Sequence, residues 1–494
     1  VTIPAAPLLD VAYAAATAAA QAYNGQQAAA RCSALARRLD GPLRLAVAGK
    51  VKAGKSTLIN GIVGDRVAAV DAAECTRVVT WYEAADQPRV TLEPRAGPTV
   101  ALPVQYRAGR LAVDLGGLPP SDVEHLVVGW PAPDLRRLTL VDTPGVASLS
   151  TETGARTVRL LDPDEDGLSG TADAVIYLLR HLHAADLDLL QSFRGLPRTG
   201  SVTAIALLSR ADEIAGARID AMQAAAEVAA RYRSDPTVRG LCLDVVAVAG
   251  LLAETGRTLT TAEFEAVAAL AALPPSTAEE ALRSADHFGS VPAASLDADQ
   301  RFWLLQRLGV FGLRLAVGLV RSGAGGAFEL GAELVRRSGL AELRSSLATR
   351  IEARRDVLVA RSVLVELRRL VRAEPSAGTA AVAAEIDRAL LSAPELVELR
   401  TLTVLRSQLV DLPAEFVAEG LAVLGDGGLH ATARLSLPPG SDERECRARA
   451  AEVIRRWRER AESPVTDHAT AVVCRTVVRA GEAIAADLDA GRPT

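Results

Sequence analysis

Lys50, Lys52 and Lys55 lie within six residues of one another, and no other lysine occurs in a chain of 494 residues that carries 55 lysines and arginines. A stretch that takes ammonium where the rest of the chain takes guanidinium needs a compact cation on a flexible stem. Gly49-Lys50-Val51-Lys52-Ala53-Gly54-Lys55-Ser56 is a GxxxxGKS sequence, preceded by the apolar run Leu43 to Ala48 and followed by Thr57-Leu58-Ile59, where a helix opens. Strand, glycine loop and helix start in that order form a phosphate cradle. The glycines let backbone N–H groups close around phosphate oxygens, Lys55 supplies charge for the β and γ phosphates, and the Ser56 hydroxyl ligates Mg2+. Residues Gly49 to Thr57 are therefore candidate nucleotide contacts.

Asp142-Thr143-Pro144-Gly145 follows the apolar run Leu138 to Val141. A carboxylate at a strand end can hold the Mg2+ shell through water, and Gly145 can donate its N–H to the γ phosphate. Between the two sequences, Cys75-Thr76-Arg77 should lie over the nucleotide, where the Thr76 hydroxyl can complete the metal shell; Thr80 is the competing threonine. Val202 to Leu208 reads as a strand ending in Ser209-Arg210-Ala211-Asp212. Asp212 can accept both N–H donors on the guanine edge, a pattern adenine does not offer, which selects GTP. Ser209 and Arg210 depart from the usual (N/T)KxD, but Arg210 can stack its planar group on the base. Ala249-Gly250, at the end of the last strand, offers a backbone contact to the base. GTP and Mg2+ are the expected ligands.

Nothing else reads as catalytic. The six histidines are dispersed, and His181 and His183 flank a strand end. Asp162, Asp164, Glu165 and Asp166 read as a solvated loop. Five cysteines, odd in number and without a CxxC pair, fit a reducing compartment. No basic residue precedes Arg31, so no secretory signal is expected. The nearest stretch to a membrane span, Phe302 to Val320, carries Arg307 and Arg314 and reads as an amphipathic helix. A net charge of −5 gives no global field for nucleic acid, and no nucleic-acid partner is expected.

These residues need a scaffold, and the length calls for two or three packed units. Hydrophobic residues at 49% with aromatics at 3% and long alanine runs favour helices and argue against an all-β chain. Strand runs at Leu43 to Ala48, Val90 to Leu92, Leu111 to Val113, Leu138 to Val141, Ala174 to Leu179, Val202 to Leu208 and Val245 to Val248 alternate with helical stretches such as Ile219 to Arg233. This pattern predicts an α/β domain with a mainly parallel sheet over residues 42–292. Residues 1–41 predict one alanine-rich helix, over 5–40, that packs with a helical bundle. Pro274-Pro275 and Gly289 to Pro292 mark a linker zone, and residues 293–494 predict an elongated all-α stalk. Its elements are a helix over 299–321 and one from Phe328 to Ala373 that would extend about 69 Å at 1.5 Å per residue. Serial helices follow, divided by Pro375, Pro394 and Pro413, with Ser392 and Glu395 spaced as a capping box. Two helices, over 442–462 and 467–489, finish the chain.

In this order the motifs resemble the GTPase domain of dynamin-like proteins, and the flanking helices extend the resemblance along the chain. The N-terminal helix, the insertion before the Asp142 strand and the helical region with Ser338-Gly339-Leu340 look like bacterial members. The alanine- and arginine-rich plan is similar to the isoniazid-inducible group of mycobacteria. The resemblance implies a GTPase that pairs through its GTPase domains, with itself or with a related dynamin-like partner. It also implies a cytoplasmic protein, peripheral at the inner face of the plasma membrane, that remodels lipid bilayers.

One departure bears on mechanism. Dynamins place a glutamine-serine pair where this chain has Val51-Lys52, whereas guanylate-binding proteins carry an arginine at the place matching Lys52. Lys52, with Lys55 and Thr76, is therefore a candidate catalytic residue. Val146 stands after Gly145, so a Ras-type glutamine is absent. Leu429, Leu435 and Leu437, in a glycine- and proline-rich segment over 425–440 beside the arginine-rich Ser441 to Arg460, are the candidate membrane contact. The competing functions are a GTPase acting on RNA or ribosomes and a nucleotide-gated scaffold with little turnover.

Overall fold

The computed structural model describes residues 7–68, 78–107, 109–144, 172–192, 203–292 and 294–490. Its strands are β1 (Leu43–Gly49), β2 (Val79–Ala84), β3 (Arg89–Pro94), β4 (Val100–Leu102), β5 (Gln105–Arg107), β6 (Arg110–Ala112), β7 (Val123–Trp130), β8 (Leu138–Asp142), β9 (Ala174–Leu179), β10 (Ala204–Ser209) and β11 (Asp244–Val248). All but β5 and β6 form one sheet in the order β11-β10-β9-β1-β8-β2-β7-β3-β4. From β11 to β8 the pairing is parallel. These strands are nearly continuous apolar runs because helices cover both faces. The order reverses at β1, which has β9 on one side and β8 on the other, so the C-terminal ends of these strands frame the crevice where ligands bind in open α/β sheets.

Beyond β8 the sheet continues with β2 antiparallel to β8, β7 parallel to β2, and β3 and β4 antiparallel to their neighbours. The strand runs expected from the sequence do not include β2, β4, β5 or β7. β7 pairs in register with two strands, and Trp81 on β2 stacks on His125 with ring centroids 4.6 Å apart. The run Leu111 to Val113 is real but short. Arg110–Ala112 forms a separate hairpin with Gln105–Arg107.

The helical parts depart from the expected lengths for tertiary reasons. The N-terminal segment is two helices, Leu8–Ala22 and Gln27–Arg38, turned at Gly25 with φ +78°. They fold back on the later helices, and the Leu8 N–H donates to Glu395 Oε1 at 3.1 Å. The Ser392 hydroxyl donates to the Arg388 carbonyl at 2.7 Å, so the Ser392–Glu395 capping box does not form. The 46-residue helix of the reading is three helices, Ala327–Arg336, Leu340–Arg350 and Arg355–Ala373. At the first break Gly339 has φ +81° and lies against β11. At the second, the buried Arg354 guanidinium binds the carbonyls of Leu424 and Gly425 at 2.9 and 2.8 Å.

Among the described residues one helix, Ala298–Arg321, is long and apolar enough to cross a membrane. It is kinked at Gly309, with φ +63°, and the Thr255 hydroxyl donates to the Arg307 carbonyl there. Arg314 donates to the carbonyls of Leu282 and Ala217 at 3.0 and 2.8 Å, and Arg321 to those of Ala271 and Leu273 at 3.0 and 2.7 Å. Leu304, Leu308 and Phe311 share one apolar cluster with Val267, Leu270 and Leu282, so packing runs without a break across Pro292. The later helices dock on the opening ends of the strands. Ser346 binds Asp244 at 2.7 Å, and Arg406 binds the Cys242 and Leu243 carbonyls at 3.0 and 2.7 Å.

Candidate functional site

β1 delivers Gly49 to the C-terminal edge of the sheet. A Cβ there would meet the Leu178 carbonyl oxygen at 2.8 Å, so the loop leaves the strand only as glycine. Gly54 has φ +96° with open space around it, and the helix Lys55–Val63 begins at once. Its first-turn N–H groups have no partner within the helix and face the same edge as Lys55 and Ser56.

Asp142 closes β8, in register with Val47 of β1, and Thr143 fixes that strand end by donating its N–H and hydroxyl to the Val47 carbonyl at 3.3 and 3.0 Å. Burial pushes the Asp142 carboxyl up to about 6, against the pull of Lys55. Burial likewise lowers the Lys55 ammonium, against the pull of Asp142. Asp142 Oδ1 is buried and has no hydrogen-bond partner among the described residues. An orphaned carboxylate oxygen coupled to Lys55, at the sheet edge where Ser56 lies in the first turn of its helix, fits a hydrated Mg2+. Thr80 is buried on β2, opposite Asp142 in the antiparallel pair. Thr76, Gly145, Val146 and the acids over 162–166 lie outside the described residues.

The other two lysines part company. Lys50 Nζ is 2.9 Å from Oδ1 of Asp186 on the helix Ala184–Ser192 and 3.1 Å from its Oδ2. Asp186 is buried and also accepts the Tyr177 hydroxyl at 2.8 Å and the His183 N–H at 3.1 Å. Burial and this carboxylate push the Tyr177 hydroxyl far above its ordinary value. Lys52 is exposed and has a left-handed backbone, φ +62°, and its side chain has no partner among the described residues. Its carbonyl accepts Arg210 Nη2 at 3.1 Å.

Arg210 follows β10, also left-handed at φ +52°, and its Nη1 pairs with Glu213 at 2.7 Å. Ser209 anchors the strand end by donating to the Leu179 carbonyl at 3.1 Å. Burial pushes the Asp212 carboxyl up to about 6. A cavity of about 270 Å³ runs between these groups, lined among others by Gly54, Thr57, Ser209, Asp212 and Gly250. Gly250 opens the helix Gly250–Thr258, and a Cβ on it would lie 3.4 Å from Thr57 Cγ2, so two helix starts meet at the cavity. The Ala249 N–H donates to the Ser338 carbonyl at 2.8 Å, which removes it as a donor to a base.

The structure thus gathers residues 49–57, Asp142, Ser209, Arg210, Asp212 and Gly250 at one edge of the sheet. It adds Asp186 and Tyr177 behind Lys50, and Arg110, Leu305 and Gln306 in the cavity wall. None of these five carries a local sequence signal beyond the unexplained lysine at 50. The apolar membrane-contact segment does not form. Leu435 is buried, Leu437 packs against the core, and only Leu429 is exposed. The cause is the pairing of Asp426 with Arg350 and Arg406, which folds the segment onto the protein.

A glycine loop after the central strand, a buried aspartate ending its neighbour and an aspartate-lined cavity define a P-loop GTPase domain, here joined to a helical region. A family described as "50S ribosome-binding GTPase" matches residues 44–198. The isoniazid-induced protein IniC of Mycobacterium tuberculosis, strains H37Rv and CDC 1551, is 40% identical over 458 residues, which are 92% of each chain. The chain belongs to the IniC family. Isoniazid-induced protein IniA of the same species is 34% identical over 145 residues, 28% of this chain and 22% of that one. Among solved structures, an oligomerised bacterial dynamin pair described as sensing and tethering membranes aligns at 12% identity and TM-score 0.32, covering 86% of this chain and 79% of its own. The LeoA bacterial dynamin GTPase from ETEC aligns at 12% identity and TM-score 0.23, covering 98% and 94%.

Proposed function

We propose that the chain binds GTP with Mg2+ at the loop after β1, hydrolyses it, and uses nucleotide-dependent pairing of its GTPase domains to act peripherally on membranes at their cytoplasmic face. The carrying observation is the pairing, at one sheet edge, of the orphaned Asp142 oxygen with the cavity that holds Asp212. In this reading the N–H groups of Gly54 to Thr57 and the Lys55 ammonium hold the phosphates. Ser56 and Thr76 ligate Mg2+, and Asp142 holds it through water. The metal neutralises charge on the phosphate oxygens. Arg210 brackets the base against the loop whose carbonyl it already holds, Asp212 reads the guanine edge, and Gly250 donates a backbone N–H. Lys52, uncommitted, supplies the internal charge for the transition state. Residues 42–292 carry this chemistry, and 1–41 with 293–494 form the helical part. The membrane half of the proposal rests on the resemblance to dynamin-like GTPases.

The test combines phosphate release from GTP, liposome co-sedimentation and an RNA gel shift, for wild type and Lys55→Ala. The expected result is GTP turnover and GTP-dependent co-sedimentation by wild type, loss of both in Lys55→Ala, and no RNA shift. Unchanged GTP turnover in Lys55→Ala would sink the nucleotide assignment. An RNA shift without co-sedimentation would sink the membrane one.

A further inference from the structure

Arg110 sits on the β5–β6 hairpin, inside the segment between β4 and β7 and remote in sequence from every nucleotide-binding motif. The fold nevertheless places it in the wall of the cavity that Gly54, Thr57, Asp212 and Gly250 also line. The hairpin is held there by the Leu111 N–H, which donates to the Arg66 carbonyl at 3.0 Å. Around Glu254 Oε1 lie three guanidinium groups, Arg66 at 3.3 Å, Arg307 at 3.5 Å and Arg110 at 3.8 Å. Arg307 has a second carboxylate, Glu263, at 2.6 Å, and also donates to Thr258. Three cations therefore share two anions, and the excess rests with Arg66 and Arg110. Arg110 Nη1 is buried without a hydrogen bond among the described residues, and so are Arg66 Nε and Nη2. Burial and then the neighbouring Arg110 lower the Arg66 guanidinium. Unmet buried donors on an arginine that lines a cavity together with Gly54 and Thr57 are costly until an anion arrives.

We propose that Arg110 is a nucleotide-binding residue whose guanidinium donates to the α-phosphate of the bound guanine nucleotide, so that the inserted hairpin completes the site. This rests on the GTP-binding reading above and names a further contact within it. The phosphate is favoured over the base because a planar guanidinium fork matches phosphate oxygens and because Asp212 already occupies the base end of the cavity. Glu254 fits this role as the counter-ion that keeps three arginines together while the site is empty.

The experiment measures equilibrium affinity for GDP, GMP and guanosine in wild type, Arg110→Gln and Arg110→Lys, by calorimetry with guanosine read by competition against GDP. Thermal unfolding without nucleotide is followed in parallel. Loss of one charge-assisted contact predicts a fall of about ten- to a hundredfold for GDP and GMP in Arg110→Gln. Arg110→Lys should recover part of it, guanosine affinity should not change, and the nucleotide-free unfolding temperature should stay level. Wild-type GDP affinity in Arg110→Gln overturns the proposal. An equal loss for guanosine overturns the phosphate contact, because it would mean stacking on the base. A wild type that binds no guanine nucleotide overturns the GTP-binding reading itself, and a wild type that binds while both variants match it overturns Arg110 alone.

Discussion

Replacing Asp186 removes a buried carboxylate that holds three donors, the Lys50 ammonium at 2.9 Å, the Tyr177 hydroxyl at 2.8 Å and the His183 N–H at 3.1 Å. Tyr177 is buried, so loss of its charged acceptor costs about 1.5 to 3 kcal/mol. The Lys50 side chain is 47% exposed, so water replaces most of what the pair gives it, and its share falls to about 1 kcal/mol. Asp186→Ala should therefore lose about 2.5 to 4 kcal/mol of stability. Lys50→Ala leaves Asp186 its two other donors and should lose only about 1 kcal/mol. The double-mutant cycle should return a coupling of about 1 kcal/mol, since the two groups touch. The assay is urea unfolding of the nucleotide-free protein, with GTP affinity measured on the same four proteins. If Lys50 pins the loop from outside the nucleotide, Lys50→Ala weakens GTP binding less than tenfold on the order expected for a lost loop contact. A variant that loses GTP binding as Lys55→Ala does, with no change in stability and no coupling, would show Lys50 to be a phosphate ligand and refute the pin.

Gly339→Ala should lose about 4 kcal/mol or more, seen as a lower unfolding midpoint, because φ is +81° and the new Cβ would stand 2.1 Å from the Ala247 carbonyl oxygen. Guanine binding should weaken as pH falls through about 6. Burial holds the free Asp212 carboxyl near that value, whereas the bound form must be ionised to accept two N–H groups. In metal-free buffer the fall in GDP affinity from pH 7.5 to 5 should be about tenfold more in wild type than in Asp212→Asn, and equal pH profiles would contradict it. Lys52→Ala should bind GTP nearly normally yet turn it over about 10² to 10³ slower, with little dependence on potassium in wild type. Alanine keeps the same left-handed backbone, so phosphate-release rates in sodium, potassium and choline buffers isolate the charge.

What was legible in the sequence was whatever has a local cause. The loop from Gly49 to Ser56 is written in adjacent residues, and so are the ends of the two last helices, where Asp442 and Asp467 cap Glu443–Glu462 and His468–Asp489 through their side chains. The central parallel strands are nearly continuous apolar runs and declare themselves. β7 was missed because Val123–Trp130 mixes Glu124 and His125 into its run, and its strand character comes from two neighbours distant in sequence. The break at Ile351 to Arg354 has no glycine or proline, since its cause is a guanidinium that seeks carbonyls 70 residues away. Asp186 and Arg110 were invisible for the same reason. The Lys50–Asp186 contact spans 136 positions, and nothing near Asp186 in sequence resembles a nucleotide-binding motif.

The helix Leu340–Arg350 shows why Ser338-Gly339-Leu340 is placed where it is. At the nucleotide end of β11 the Ser338 carbonyl takes the Ala249 N–H, and Gly339 presses on Ala247. At the opposite end Ser346 and Arg350 both reach Asp244, the first residue of the strand. Arg350 also reaches Asp426, which Arg406 shares while binding the Cys242 and Leu243 carbonyls. One helix of 11 residues therefore fastens β11 at both ends and hands the lower end to the later helices. Ala249 and Ser338 are fully buried, so opening their hydrogen bond would leave an unsatisfied N–H at a cost of about 1 to 3 kcal/mol. A shift of the Gly250 loop that keeps the bond must instead carry the helix with it, and the absence of a Cβ at Gly339 leaves no slack between helix and strand. The wall of the base cavity and the helical region are for that reason mechanically one piece.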